Sequence, residues 1–198
     1  MWAGNVFKLH WSGGHQVLAL SRGPDALPKG AAITRIRSSA TRTDDLQRAV
    51  DGAEAILVCL GTGMSTKPTT LYSDFGRALL EIQPEIGDTP VLVLTGFGAS
   101  ESGIYHGPLM GLLFRFVLKE VYEDKTRLEQ MIEQSRLNWM FIRPGLLTNG
   151  PSGPFRVHVK YHKGLKVGRI PRRSVAEFMV SQAEAPTYMR QKPALSAR

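Results

Sequence analysis

The apolar positions of this chain fall in short runs closed by glycine, and these runs alternate with longer amphipathic stretches. Residues 55–60 (AILVCL) are six consecutive apolar residues between Gly52 and Gly61. That is too short for a free-standing helix and has no polar alternation. It predicts a strand buried on both faces, as in a parallel sheet. Residues 91–95 (VLVLT), after Pro90, predict a second such strand, and residues 139–142 (WMFI) a third. Two weaker strands are predicted at 16–20 and 31–36.

The intervening stretches read as helices. Thr43 is placed to cap a helix over 44–50, with Asp44 and Asp45 in its first turn where negative charge is favoured. Leu71, Phe75, Leu79 and Ile82 share one face of a helix over 70–82. Two helical segments follow at 109–122 and 123–134, and Val175, Phe178 and Met179 share a face over 174–182. Residues 4–11 read as a short helix stopped by Gly13 and Gly14. After Pro144 the pattern is looser.

Strand–helix alternation of this kind predicts an α/β fold, a doubly wound parallel sheet with right-handed crossovers. Three predicted strands end in glycine turns: Gly61-Thr62-Gly63, Gly96-Phe97-Gly98 and Pro144-Gly145. In a parallel sheet these ends share one edge, where open α/β sheets bind their ligands, and glycine lets a ligand approach the backbone.

Length and composition narrow the picture. The 198 residues suit one domain with a real core, and 42% hydrophobic with 21% charged residues is ordinary for a globular protein. No apolar run reaches the ~20 residues of a membrane span, and the start has no secretory pattern. The single cysteine, Cys59, has no internal disulfide partner, and a reducing cytoplasm is the expectation. The net charge of +8 is carried by residues 156–198, which hold ten Lys/Arg and two Glu. Lys160, Lys163, Lys166, Arg169, Arg172 and Arg173 are spread among glycine and proline without aromatic interleaving. That pattern argues against nucleic acid and for a rim that attracts anionic cofactor and substrate.

At residues 21–28 (SRGPDALP), 49–63 (AVDGAEAILVCLGTG), 91–102 (VLVLTGFGASES), 121–132 (VYEDKTRLEQMI) and 137–151 (LNWMFIRPGLLTNGP) the chain resembles the atypical short-chain dehydrogenase/reductases. Within them it is most similar to the NmrA-like, biliverdin-IXβ reductase/flavin reductase-like branch. The resemblance covers residues 15 to about 180 and implies a Rossmann sheet binding NADP(H). It places Arg22 at the 2′-phosphate, Ser39 and Ala40 at the adenine, and Leu60, Gly61 and Thr62 beneath pyrophosphate and ribose. Thr95 and Gly96 fall near the nicotinamide, and Pro144, Gly145 and Leu146 on the loop closing over it. Tyr105 and His106 are candidates for stacking on a flat substrate.

Two departures from the family stand out. The family's Tyr-x-x-x-Lys pair is replaced by Tyr122-x-x-Lys125, which still shares a helix face; Lys125 is also placed to touch cofactor ribose. The family's first strand and glycine-rich turn are missing, with Gly4 standing for its last glycine. Loss of that central strand is expected to separate the 16–20 and 55–60 strands or force them to pair. The opening residues read as a displaced start or altered reading frame. The expected function is NADP(H)-dependent hydride transfer to a flavin, quinone or similar planar acceptor, by a monomer or homodimer. The alternative is a non-catalytic NADP-binding sensor.

Overall fold

The computed structural model describes residues 14–27, 29–63, 67–97, 119–162 and 165–198. Its strands are β1 (Val17–Ser21), β2 (Ile33–Arg37), β3 (Ile56–Val58), β4 (Val91–Leu94), β5 (Trp139–Pro144), β6 (Leu146–Thr148), β7 (Phe155–His158), β8 (Arg169–Pro171) and β9 (Ala194–Ala197). Its helices are α1 (Thr43–Val50), α2 (Leu71–Glu81) with a short continuation α3 (Gln83–Ile86), α4 (Lys119–Glu133) and α5 (Arg172–Glu184).

The main sheet has the order β3-β4-β5-β9-β7. Its first four strands are parallel, and β7 adds an antiparallel edge. Every residue of β4 and β5 is buried, as the unbroken apolar runs require of strands covered on both faces. Alternate residues divide between two cores. Val91, Val93, Trp139 and Phe141 pack against α1, α2 and α4. Leu92, Leu94, Met140 and Ile142 pack against α5, where Val175, Phe178 and Met179 share the buried face. Helices α2 and α4 touch closely at Gly76, where a Cβ would lie 2.7 Å from Met131 Cε.

β1 and β2 form a separate parallel pair, and among the described residues no strand joins β1 to β3. Of the two expected outcomes, direct pairing of β1 with β3 is not found among the described residues. Leu20 and Ala40 tie the pair to the main body through the α1–α2–α4 core.

Several local expectations need correction. The strand predicted over 55–60 is confined to Ile56–Val58, and only Val58 is fully buried. The cause is position: β3 is an edge strand of its sheet, so it is covered less well than β4 or β5. Thr43 does not cap α1. It lies inside the first turn and its hydroxyl donates to Glu81 Oε2 across to α2 at 2.5 Å. Residues 119–133 form one continuous helix with no break after Tyr122, because Val121, Leu128 and Ile132 keep a single buried stripe through that point. The looser stretch after Pro144 contains four strands, each of three or four residues, too short for a periodic signal. The helix read at 4–11, the segment 109–118, Gly4, Gly98, Tyr105 and His106 lie outside the described residues.

Candidate functional site

The carboxyl ends of the parallel strands meet α4. Lys125 donates from Nζ to the Thr95 carbonyl at 2.6 Å, at the point where β4 ends. Its ammonium sits 4.9 Å from the Tyr122 ring centroid and 5.2 Å from that of Tyr72 on α2. Tyr72 in turn hydrogen-bonds Thr62, in the turn after β3. The Phe97 N–H donates to the Pro144 carbonyl at 2.9 Å, joining the β4 turn to the β5 turn. Thr62, Thr95, Gly96, Tyr122, Lys125 and Pro144 are thus brought to one edge, as the three glycine turns implied.

Gly96 has φ +131, a backbone region that L side chains rarely adopt, and a Cβ there would lie 3.2 Å from the Tyr122 hydroxyl. At Gly61 and Gly63 no atom of the described residues comes closer than 4.0 Å to an added Cβ. Gly145 is different. A Cβ there would lie 1.9 Å from the Gly168 carbonyl oxygen, so the room this glycine leaves is taken by the chain's own backbone. Leu146, the next residue, donates its N–H to that carbonyl at 3.0 Å and leaves its side chain exposed.

Beneath the edge lies a buried polar network that the sequence motifs did not mark. Glu129, on α4, accepts from the Thr95 hydroxyl at 2.6 Å and from Arg143 Nε and Nη2 at 3.2 and 2.5 Å. Both members of that ion pair have no solvent exposure. Arg143 also reaches the Tyr161 hydroxyl at 3.5 Å, and Tyr161 packs edge-on against Phe97. Asp124, buried on the same helix, accepts the Tyr72 N–H at 2.8 Å and so caps α2 from outside. Asp124 and Glu129 occupy the apolar stripe of α4 beside Val121, Leu128 and Ile132. Acidic residues at stripe positions were the available signal.

Burial pushes the Tyr122 phenol up to about 12, with Tyr72 adding to the effect. Burial lowers Lys125 to about 8, and Glu129 opposes that fall. Cys59, just past β3, has its thiol pushed up to about 12 by burial, which makes it an inert packing group.

The remaining candidates lie at the matching edge of the β1–β2 pair. Arg22 follows β1 and is exposed, and its carbonyl accepts from Arg37 at 3.4 Å. Ser38 N–H donates to the Ser21 carbonyl at 3.1 Å, setting Ser39 and Ala40 beside Arg22 at the strand ends. Leu60 packs on the core that also receives Leu20 and Ala40.

A dinucleotide fits this edge. Among the described residues the Gly61–Gly63 turn leaves backbone for a phosphate to approach, Arg22 presents an exposed guanidinium, and the Lys125 ammonium, which spends one N–H on the Thr95 carbonyl, has further donors for hydroxyl and phosphate oxygens. Among the described residues no cluster of His, Cys, Asp and Glu could hold a metal, and no helix is long and apolar enough to cross a membrane.

The fold is similar to solved structures of low sequence identity. One is a short-chain dehydrogenase/reductase from Veillonella parvula in complex with NADP, at TM-score 0.80 and 15% identity, covering 99% of this chain and 89% of that one. Another is ChuY, an anaerobillin reductase from Escherichia coli O157:H7, at TM-score 0.74 and 20% identity, covering 97% and 89%. A third, a protein from Lactobacillus casei, has TM-score 0.76 and 20% identity, covering 98% and 94%. The architecture is that of the Rossmann-like dinucleotide-binding proteins. The NAD(P)H-binding family matches residues 5–186, and the chain belongs to it.

Proposed function

We propose that the protein is an NADP(H)-dependent reductase that passes hydride to a flavin, quinone or similar planar acceptor. The observation that carries this reading is the meeting of three strand-end turns at Lys125. Thr62 reaches it through Tyr72, Thr95 directly, and the Pro144 turn through the Phe97 N–H. The Veillonella parvula neighbour was solved with NADP, and ChuY is named an anaerobillin reductase.

When bound, the reduced nicotinamide supplies the hydride. This chain's residues hold and orient it. Arg22 pairs with the 2′-phosphate, whose dianion a guanidinium can grip with two donors. Ser39 and Ala40 border the adenine. Leu60, Gly61 and Thr62 support pyrophosphate and ribose, and Gly4 belongs to the same phosphate contact. Lys125 donates to ribose hydroxyls. Thr95, Gly96, Pro144, Gly145 and Leu146 frame the nicotinamide. Tyr105 and His106 are assigned to stacking on the acceptor.

The Tyr122 phenol, pushed up to about 12, stays protonated near neutral pH and is too weak an acid to be a good donor of the proton that accompanies hydride. Tyr122 is therefore assigned to packing on Gly96, and the proton that accompanies hydride comes from solvent. The same observation favours the second reading, an NADP-binding sensor without turnover. Following NADPH absorbance with flavin mononucleotide and a water-soluble quinone separates the two. Acceptor-dependent loss of NADPH is expected; tight NADPH binding with no loss for any acceptor supports the sensor and removes the reductase.

A further inference from the structure

We propose that Glu129, clamped by Arg143, is the positioning residue of this site: it fixes the Thr95 hydroxyl one helical turn along α4 from Lys125, which holds the carbonyl of the same residue at the end of β4. The proposal rests on the reading that this edge receives NADP(H). Thr95 is gripped at both of its polar groups by one helix. Its carbonyl accepts from Lys125 and its hydroxyl donates to Glu129, one turn further along α4. A helix places residues i and i+4 on one face, so the two grips act together on the residue that starts the Gly96 turn.

Arg143 supplies the buried Glu129 carboxylate with its partners. Two guanidinium nitrogens cover both carboxylate oxygens, and the Thr95 hydroxyl adds a third donor. An ion pair this deep stabilises little in net terms, because desolvation offsets the attraction. Its retention is better explained by what it orients.

Lys125 needs such support. Its ammonium lies over the Tyr122 ring on α4 and the Tyr72 ring on α2, with Glu129 one turn further along α4 and paired to Arg143 of β5. The two phenols are neutral near pH 7, since burial raises both. Asp124 is committed to the amides of Tyr72 and Ser73 and to Arg127. Burial depresses Lys125, and Glu129 is the group that counters it. Loss of that carboxylate leaves the downward pull of burial on the amine unopposed.

The test is a titration of the cofactor-free protein with 13C-labelled lysine, following the Lys125 ε-carbon by NMR in wild type and Glu129→Gln. The Lys125 midpoint is expected to fall by about one pH unit or more in the variant, the shift an opposite charge at close range supports. An unmoved midpoint overturns the proposal. Because Glu129→Gln leaves Arg143 buried without its partner and could fail to fold, Thr95→Val supplies a second arm. It removes one hydroxyl and leaves the ion pair intact. NADPH affinity, read by fluorescence, is expected to drop about tenfold while the Lys125 midpoint holds; unchanged affinity overturns the positioning role. If wild type itself fails to bind NADPH, the cofactor reading falls, and the titration still decides the Glu129 assignment.

Discussion

At the scale of single residues, glycine does three different jobs at the strand ends. Gly96 adopts a positive φ beneath Tyr122, Gly61 and Gly63 leave space open, and Gly145 admits the backbone of Gly168. A single methyl separates these roles. Gly145→Ala would drive a carbon into a carbonyl oxygen with no flexible side chain to yield. It is expected to cost about 1–3 kcal/mol, as other overpacked substitutions do, and to lower the melting temperature by several degrees. Gly61→Ala meets no neighbour and should leave stability within about 1 kcal/mol. Differential scanning calorimetry of the two variants compares them directly, and equal losses would contradict the close approach at Gly145. These differences were invisible in the sequence, where all four residues read alike as room for a ligand. The polar residues of α4 were partly legible. Lys125 stood out through resemblance, whereas Asp124 and Glu129 were passed over because charged residues on a helix are usually on its solvated face.

At the scale of elements, the molecule has a firm centre and a loosely joined wing. β4 and β5 are buried throughout and flanked on both faces. β1 and β2 bond only to one another among the described residues, and Leu18 on β1 remains 41% exposed. In a parallel ladder alternate residues point their amides to opposite sides. Val17 donates to Ala32 on the β2 side, so Leu18 and Leu20 present theirs to the other edge. Amide hydrogen exchange should therefore find β1–β2 amides protected roughly tenfold or more less than those of β4 and β5, since local opening precedes global unfolding where few apolar contacts hold an element. Uniform protection across both pairs would show that the wing is coupled to the sheet more tightly than its bonding indicates. Element lengths explain which strands were readable. The four- and six-residue buried strands carry unbroken apolar runs, while β6 to β9 are held mainly by their neighbours.

At the scale of the whole molecule, the wing carries Arg22, Ser39 and Ala40, while Thr62 and Thr95 follow strands of the main sheet and Lys125 reaches them from α4. A dinucleotide lying across the edge would bridge the two bodies, so binding should stabilise the protein globally. At one hundred times its dissociation constant a ligand adds about 2.7 kcal/mol, or roughly 5–10 °C for a chain of this length. NADPH is expected to produce that thermal shift and to exceed NADH at equal concentration. Arg22→Ala should erase the excess without abolishing the shift. Equal shifts from the two dinucleotides in wild type would remove the 2′-phosphate assignment. The excess positive charge of residues 156–198 belongs to this scale too: it is expected to speed the binding of NADPH, and measured on-rates should fall as salt is added.

The sequence by itself determined the class of fold and the sheet edge at which the strand-end turns gather. Unbroken apolar runs require strands covered on both faces, strands alternating with helices require parallel crossovers, and parallel strands put all their carboxyl ends together. Tertiary structure alone decided which groups meet at that edge. The ion pair of Glu129 with Arg143, the capping of α2 by Asp124, and the contact of Gly145 with Gly168 join segments whose spacing along the chain carries no periodic signal. Each exists because desolvated charges and backbone groups must find partners, and only the folded chain decides which partners are within reach.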